Sequence, residues 1–374
     1  MSMRWKGGFI QTWFDPLTPG STLGVLWSWG KNNNGELGLN NTTYFSSPKQ
    51  VGALTTWSSV SCGAFHAVSI KTDGTLWSWG NNTYGNLGLV NTTSYSSPKQ
   101  VGSLTTWSSV SCGFWHTVSI KTDGTLWSWG YNGLGQLGQG NIQDYSSPKQ
   151  VGALTNWLSV SCGAYHTVSI KTDGTLWSWG NNNAGQLGLG SISNYSSPKQ
   201  VGALTNWSSV SCGENHTVSI KTDGTIWSWG SNTFGQLGQG NTIGLSSPKQ
   251  VGALTNWSSV SCGDVHTVSI KTDGTLWSWG RNNYGQLGLG NKTNYSSPKQ
   301  VGALTNWSSV SCGFYHTVSI KTDGTLWSWG VSQYGQLGLG NTTYYSSPKQ
   351  VGVLTSWTKI FKGAFANSTL AISS

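Results

Sequence analysis

A Cys and a His recur together at a fixed spacing, and that pair is the first candidate for chemistry. Cys62 precedes His66 by four residues, and the same spacing returns every fifty residues, six times in all. Such a pair could ligate a metal, or supply a nucleophile and its base. A structural zinc site, however, usually gathers four ligands, and each copy offers one Cys and one His on neighbouring strands. The members are Cys62, Cys112, Cys162, Cys212, Cys262, Cys312, His66, His116, His166, His216, His266 and His316.

Repetition favours a structural role for both residue types, because a catalytic or metal site is usually needed only once. Equivalent positions on packed sheets lie roughly 10 Å apart, whereas a disulfide needs Cα atoms within about 7 Å. We therefore predict free, buried cysteines. We expect the histidines to hydrogen-bond to backbone groups at a turn, and we predict no metal and no cofactor.

The acidic residues do not form a catalytic pair. Six of the eleven belong to repeated Lys-Thr-Asp-Gly turns, such as Asp73, and the other five are scattered over different copies. General acid–base catalysis needs convergent groups. We therefore predict that the protein is not an enzyme and has no catalytic residues. The five scattered residues are Asp15, Glu36, Asp144, Glu214 and Asp264.

These residues are positioned by a fifty-residue repeat that occurs seven times. Trp27-Ser28-Trp29-Gly30 returns in every copy, and a fixed long period indicates one structural unit copied along the chain. In the second copy, alternating residues predict strands near Trp57–Gly63, His66–Ile70 and Thr75–Gly80. A polar loop over 81–94 and a short fourth strand at Lys99–Val101 complete the unit. The fold class is all-β, a seven-bladed β-propeller of four-stranded antiparallel blades.

The two ends of the chain predict how the ring closes. The first copy begins at its third strand, Val25–Gly30, and the last copy ends at a second strand near Thr369–Ile372. We expect these strands to pair and leave no open edge. Alignment of the last copy requires a two-residue insertion, which places Ser368 at the His position. The domains are thus a docking segment, residues 1–24, and the propeller, residues 25–374.

The repeat resembles that of the regulator of chromosome condensation family. The resemblance rests on Cys-Gly-x-x-His-Thr-Val-Ser-Ile, Asp-Gly-Thr-Leu-Trp-Ser-Trp-Gly and Gly-Gln-Leu-Gly, and it covers about residues 25–374. It implies a seven-bladed propeller. Members include a guanine-nucleotide exchange factor for a small GTPase, and bacterial and phage proteins of varied role, which this chain resembles most in its near-identical repeats and low charge. Exchange in the family uses a projecting wedge, whereas no copy here carries a long insertion.

Differences between the copies indicate where a partner binds. They fall in three windows: the pair before each His, the residues after each Trp-Gly, and those before each Ser-Ser-Pro. Strand direction places all three on one face, which we call the variable face, and loops on a rigid scaffold often carry binding residues. Drift under relaxed constraint is the alternative. The candidate partner-binding residues are Phe65, Tyr84, Phe114, Trp115, Tyr165, Glu214, Asn215, Phe234, Asp264, Arg281, Tyr284, Phe314, Tyr315 and Tyr334.

The first 24 residues are too apolar for a free tail. We predict that they dock on the propeller or on a neighbouring subunit and support a larger assembly. The candidate docking residues are Trp5, Phe9, Ile10, Trp13 and Phe14.

Composition narrows the partners and the compartment. The net charge is +9, but the lysines are isolated along the repeat, so we expect no nucleic-acid partner. The sequence shows no signal peptide and no membrane span, which favours a cytoplasmic or virion location.

The functional prediction is a non-enzymatic binding or structural propeller, a surface or virion component of the phage type. It would contact a protein or glycan through the variable face. The alternative is a guanine-nucleotide exchange factor or a chromatin-type regulator.

Overall fold

The computed structural model describes residues 24–361 and 363–374, and these form a seven-bladed β-propeller of four-stranded antiparallel sheets. The predicted fold class is confirmed. The described residues include no helix of the length and apolar character needed to cross a membrane. The predicted docking residues Trp5, Phe9, Ile10, Trp13 and Phe14 lie outside the described part of the chain.

Within blades 1 to 6 the strands run in chain order from the centre of the ring to its rim, and in all seven blades we call them inner, second, third and outer. Blades 1 to 6 follow the chain from Trp57, and blade 7 combines both ends of the chain. The inner strands are Trp57–Cys62, Trp107–Cys112, Trp157–Cys162, Trp207–Cys212, Trp257–Cys262, Trp307–Cys312 and Trp357–Ile360. The second strands are His66–Lys71, His116–Lys121, His166–Lys171, His216–Lys221, His266–Lys271, His316–Lys321 and Ser368–Ser373. The third strands are Leu76–Gly80, Leu126–Gly130, Leu176–Gly180, Ile226–Gly230, Leu276–Gly280, Leu326–Gly330 and, in blade 7, Val25–Gly30. The outer strands are Tyr95–Gln100, Tyr145–Gln150, Tyr195–Gln200, Leu245–Gln250, Tyr295–Gln300, Tyr345–Gln350 and, in blade 7, Phe45–Gln50.

The ring closes as the chain ends predict. The C-terminal strand pairs antiparallel with the first strand, from Val25 opposite Ser373 to Gly30 opposite Ser368. In blade 1 the same register places Gly80 opposite His66. Ser368 therefore occupies the His position, which confirms the two-residue insertion. Closure within blade 7 removes the exposed third-strand edge that either end alone would present.

The loop over 81–94 is confirmed, but the fourth strand predicted at Lys99–Val101 is corrected to Tyr95–Gln100. In blade 1 it begins at Tyr95, which lies opposite Gly80, and a register shift follows before Ser78 meets Lys99. Because this irregularity interrupts the alternation of polar and apolar residues, periodicity alone did not reveal the strand. Each outer strand lies at a sheet edge, where a Pro that donates no hydrogen bond is tolerated.

Neighbouring blades interlock through the Trp-Ser-Trp-Gly and Gly-x-Leu-Gly motifs. The Trp79 indole N–H of blade 1 donates to the Glu36 carbonyl of blade 7, at 2.9 Å. A Cβ at Gly38 would lie 2.9 Å from that indole nitrogen, so the close approach requires glycine. Trp79 is fully buried, which contributes on the order of 4–6 kcal/mol of gross apolar transfer. The same contact recurs around the ring.

The face opposite the variable face carries the Lys-Thr-Asp-Gly turns and the linkers between blades, and we call it the uniform face. In blade 1 the Asp73 carboxylate accepts hydrogen bonds from the Thr75 backbone amide and hydroxyl, at 2.9 and 2.6 Å. The Lys71 ammonium lies 3.6 Å from the centroid of the Trp77 ring, a cation–π contact. These contacts of Asp73 and Lys71 stabilise the turn within the blade.

Candidate partner-binding surface

The repeated histidines join adjacent blades. His66 Nε2 lies 3.0 Å from the Thr117 hydroxyl of the next blade, and that hydroxyl donates to the Asn86 carbonyl at 2.9 Å. Because the hydroxyl proton is already used, Nε2 carries a proton and donates it, and Nδ1 is the unprotonated nitrogen. The expectation of a backbone partner at the turn was wrong: the partner is a threonine of the neighbouring blade, which one repeat alone could not reveal.

Burial keeps these imidazoles neutral. His66 is 1% exposed, and its Nδ1 has no hydrogen-bond partner among the described residues. Desolvation lowers the pKa of all six histidines from 6.5 to about 3. A neutral imidazole fixed between blades has no access to a substrate.

The histidine and its threonine are missing together at one interface only. Blade 7 has Ser368 at the His position, and the next blade has Ala67 where the other copies have Thr. The paired loss supports the structural role of the contact, because neither residue is retained without the other.

The cysteines are likewise structural. All six are free and buried, as predicted. Burial raises the pKa of their thiols, to about 12 in Cys162, which disfavours the reactive thiolate. The described residues contain no group of three or more His, Cys, Asp or Glu that could hold a metal.

The centre of the variable face is closed by an aromatic cluster. The cavity on the axis, about 100 Å³, is lined by inner-strand residues and by Gly363 and Ala364 of blade 7. Phe365 follows them in the lengthened loop, is fully buried, and lies 5.8 Å from Phe114 of blade 2. The two-residue insertion thus serves to place a phenylalanine over the mouth of the axis. The sequence indicated the two-residue insertion, but Phe365 was not among the candidate residues.

Aromatic residues of blades 1 to 3 form a continuous strip beside this cluster. Phe65 stacks on Trp115 at 4.5 Å between ring centroids, and Trp115 contacts Tyr84 at 5.4 Å. Tyr84 is 5.0 Å from Tyr131, which in turn is 6.0 Å from Tyr165. We call the strip the aromatic sector; it consists of Phe65, Tyr84, Phe114, Trp115, Tyr131 and Tyr165. Residues from different windows and different blades therefore meet, as the strand directions indicate.

Tyr131 was absent from the candidates although it lies in the same window as Tyr84. Taking every aromatic residue of that window would have found it. Most rings of the aromatic sector are half-buried against one another, whereas Tyr84 is 36% exposed. Rigid aromatic side chains that keep an exposed edge are suited to protein contacts.

A second group of candidate residues, from blades 4 to 6, combines charged and aromatic side chains, and we call it the polar sector. Its members are Glu214, Asn215, Phe234, Asp264, Arg281, Tyr284, Phe314 and Tyr315. The Arg281 guanidinium donates to the Tyr315 hydroxyl at 3.0 Å and lies over the rings of Phe234 and Tyr315, at 4.9 and 4.8 Å. Such contacts hold a cation at the surface with little side-chain freedom.

Asp264 is the buried member of the polar sector. It is 4% exposed, and burial together with the neighbouring Glu214 carboxylate raises its pKa to about 8. Its environment also raises the pKa of Tyr315 to about 12, through burial and the Asp264 charge. Burial and the neighbouring carboxylate thus favour the protonated form of Asp264. This candidate lies beneath the surface and positions its neighbours rather than facing a partner.

Blade 7 places Lys31 between the aromatic sector and Tyr334 of blade 6. Lys31 lies 5.1 Å from the Phe65 ring centroid and 5.5 Å from that of Tyr334. Tyr334 also contacts Tyr44, at 5.5 Å. The contacts of the aromatic sector thus extend through Lys31 to Tyr334 and Tyr44, while the polar sector lies on blades 4 to 6.

Comparison with known sequences identifies the repeat. The family model described as the RCC1-like domain matches residues 146–374. Two models described as the regulator of chromosome condensation (RCC1) repeat match residues 24–70 and 73–120, and residues 57–86 and 107–136. No curated protein matches the chain.

Solved structures share the fold at low identity. Human WBSCR16 is 21% identical over 94% of this chain and 99% of its own, with a TM-score of 0.84. Prp20p from Saccharomyces cerevisiae, studied for its binding to Gsp1p and histones, is 21% identical over 95% of this chain and 92% of its own, with a TM-score of 0.83. A structure of Kap60 bound to yeast RCC1 (Prp20) matches at 20% identity, 100% and 94% coverage and a TM-score of 0.85. At these identities the likeness concerns the fold.

Proposed function

The chain belongs to the regulator of chromosome condensation (RCC1) repeat family, and from this we propose that it is a non-enzymatic binding propeller whose variable face contacts a protein partner. The observation that carries the proposal is the aromatic sector. Six rings from three blades form one connected strip, although they come from the loop positions that differ most between copies.

The alternative of drift does not account for this convergence. Independent drift in each loop would scatter aromatic residues around the face, whereas Phe65 and Tyr84 both contact Trp115. Tyr, Trp and Arg are also the residue types most enriched among the residues that contribute most to protein–protein affinity.

The chemistry of the two sectors favours a protein over a glycan. A protein surface can offer apolar groups to the aromatic sector and an acidic group to Arg281 at the same time. Nucleic acid fits less well, because six lysines are held over tryptophan rings and the rim lysines are spaced one per blade. A surface or virion role, and a larger assembly, are compatible with this proposal but receive no support from the relatives.

The exchange-factor alternative is tested separately. The family resemblance implies that exchange uses a projecting wedge, and among the described residues the one added length is the short loop that carries Phe365. We expect no acceleration of nucleotide release from small GTPases. Clear acceleration would replace the binding-only proposal.

A matched pair of variants tests the proposal. The face variant is Tyr84→Ala with Trp115→Ala, and the control is Leu204→Ala with Leu254→Ala on the uniform face, where both leucines are half-exposed. Each immobilised propeller is incubated with extract from cells that naturally contain the protein, and captured proteins are quantified by mass spectrometry. We expect at least a tenfold loss of specific capture in the face variant and none in the control.

Equal capture by both variants, with thermal stability unchanged, would refute the proposed face. Capture abolished by periodate oxidation of the extract but not by its proteolysis would identify a glycan instead.

A further inference from the structure

The uniform face carries an apolar ring that the proposed function does not use. Each linker between blades contains one leucine, and all seven leucines are 42–49% exposed. They are Leu54, Leu104, Leu154, Leu204, Leu254, Leu304 and Leu354. An exposed apolar arrangement of this regularity marks a contact surface or an aggregation risk.

The chain enters the propeller at this same face. The Gly24 carbonyl accepts a hydrogen bond from the Trp57 amide at 3.2 Å, as the turn residue Gly74 does from Trp107. Gly24 also forms a bridge with Thr56, at the end of the linker that contains Leu54. Whatever precedes Gly24 is therefore tethered beside Leu54.

The linker into blade 7 is more apolar than the others. Val353 is 89% exposed and stands where five copies have Ala and one has Ser. This linker lies next to the C-terminus, since the Ser374 amide donates to the Ser356 carbonyl at 2.9 Å. The C-terminal strand in turn pairs with Val25. Leu54, Val353 and Leu354 thus flank the point where the chain enters.

We propose that residues 5–14 of the same molecule dock on the leucine ring at Leu54, Val353 and Leu354. The segment has the matching chemistry, with Trp5, Phe9, Ile10, Trp13 and Phe14 within ten residues.

The tether favours the same molecule over a second copy. Phe14 lies ten residues before Gly24, a span of at most about 33 Å, which covers the neighbouring linkers. A short tether gives an effective concentration in the millimolar range, above ordinary protein concentrations. Docking in this way would also cover the most exposed apolar side chain of the face.

Thiol labelling tests this placement, because the six native cysteines are buried and leave an introduced one as the reporter. Ala53→Cys places a thiol beside Leu54 without removing a leucine, and Ala203→Cys is the matched control on a distant linker. Each is made in the full chain and in a chain lacking residues 1–22. We expect the reaction of Ala53→Cys with a maleimide to be at least fivefold slower in the full chain, and that of Ala203→Cys to be equal in both.

Replacing the five apolar residues of the segment with Ser in the full chain should restore the fast reaction of Ala53→Cys. Equal rates for Ala53→Cys in the full and shortened chains would overturn the proposal. Protection that appears only at concentrations where sedimentation detects a dimer would also overturn it, and would identify a second copy as the occupant. Either failure leaves the variable-face proposal untouched, since that surface lies on the opposite side.

Discussion

The buried histidines predict that the propeller unfolds in mild acid. Their pKa is about 3 in the folded protein and about 6.5 in an unfolded chain. The unfolded state therefore binds more protons between these values. Stability from the six groups is fully present above pH 6.5 and is lost as the pH falls towards 3.

The magnitude is large because the effect is repeated. At pH 5 a histidine in the unfolded chain is almost fully protonated, while the buried one in the folded protein is neutral. This difference lowers the free energy of unfolding by about 2 kcal/mol per histidine. Six histidines together lower the free energy of unfolding by about 12 kcal/mol, comparable with the 5–15 kcal/mol typical of a whole domain. Asp264 and Glu36 act in the opposite direction, since their raised pKa values favour the folded state as the pH falls, but they are two groups against six histidines.

A variant that tests this prediction can be copied from the one interface that lacks the histidine. His216→Ser with Thr267→Ala installs at one interface the residues that Ser368 and Ala67 provide at another. Urea unfolding between pH 7.5 and 5 should show a pH-dependent loss about 2 kcal/mol smaller in this variant than in the wild type. Ser219→Ala removes a buried hydroxyl that donates to the Ser209 carbonyl; it should lower stability at every pH without changing the slope. An unchanged slope in the histidine variant would refute the reasoning.

Three further predictions concern stability and reactivity. Ellman's reagent should modify none of the six cysteines in the native protein and all six after unfolding, because burial both hides the thiols and raises their pKa; fast labelling of the native state would contradict the packing. In urea unfolding, Gly138→Ala should lower the free energy of unfolding by about 2 kcal/mol more than Gly152→Ala. Both glycines have positive φ, but only at Gly138 would the added Cβ lie against an indole, 2.8 Å from the Trp179 nitrogen; equal losses would show that backbone strain alone matters. Phe365→Ala should cost about 3–5 kcal/mol in the same assay, and more than Phe65→Ala, because Phe365 is fully buried; a smaller loss than in Phe65→Ala would contradict its place over the axis.

The sequence was sufficient for the fold because the fold is repeated. Seven copies of one strand pattern determined the blade, and the positions of Val25 and Ser368 at the chain ends determined closure. Contacts between blades were not predictable in the same way. The partner of His66 is Thr117, in the next copy, and the choice between a backbone and a side-chain acceptor depends on how far one blade is displaced along the other.

The candidate surface was predictable in position but less so in detail. Comparison of the copies located the three windows, and the structure shows which of their residues meet. Comparison of the copies could not show that Asp264 would be buried or that Tyr131 would complete the aromatic sector. Nor could it show that two extra residues would carry Phe365 to the axis. Those outcomes depend on side-chain packing around a ring of seven unequal loops.

Site-specific photocrosslinking tests the central claim most directly. A benzophenone amino acid replaces Tyr84 on the variable face in one protein and Leu204 on the uniform face in another, and each is irradiated in extract from cells that naturally contain the protein. We predict a specific protein adduct at position 84 and none at position 204. Excess unlabelled wild-type protein should compete the adduct at position 84 away, whereas excess Trp115→Ala protein should not. The same adduct at both positions, or a competed adduct at position 204 alone, would contradict binding through the variable face.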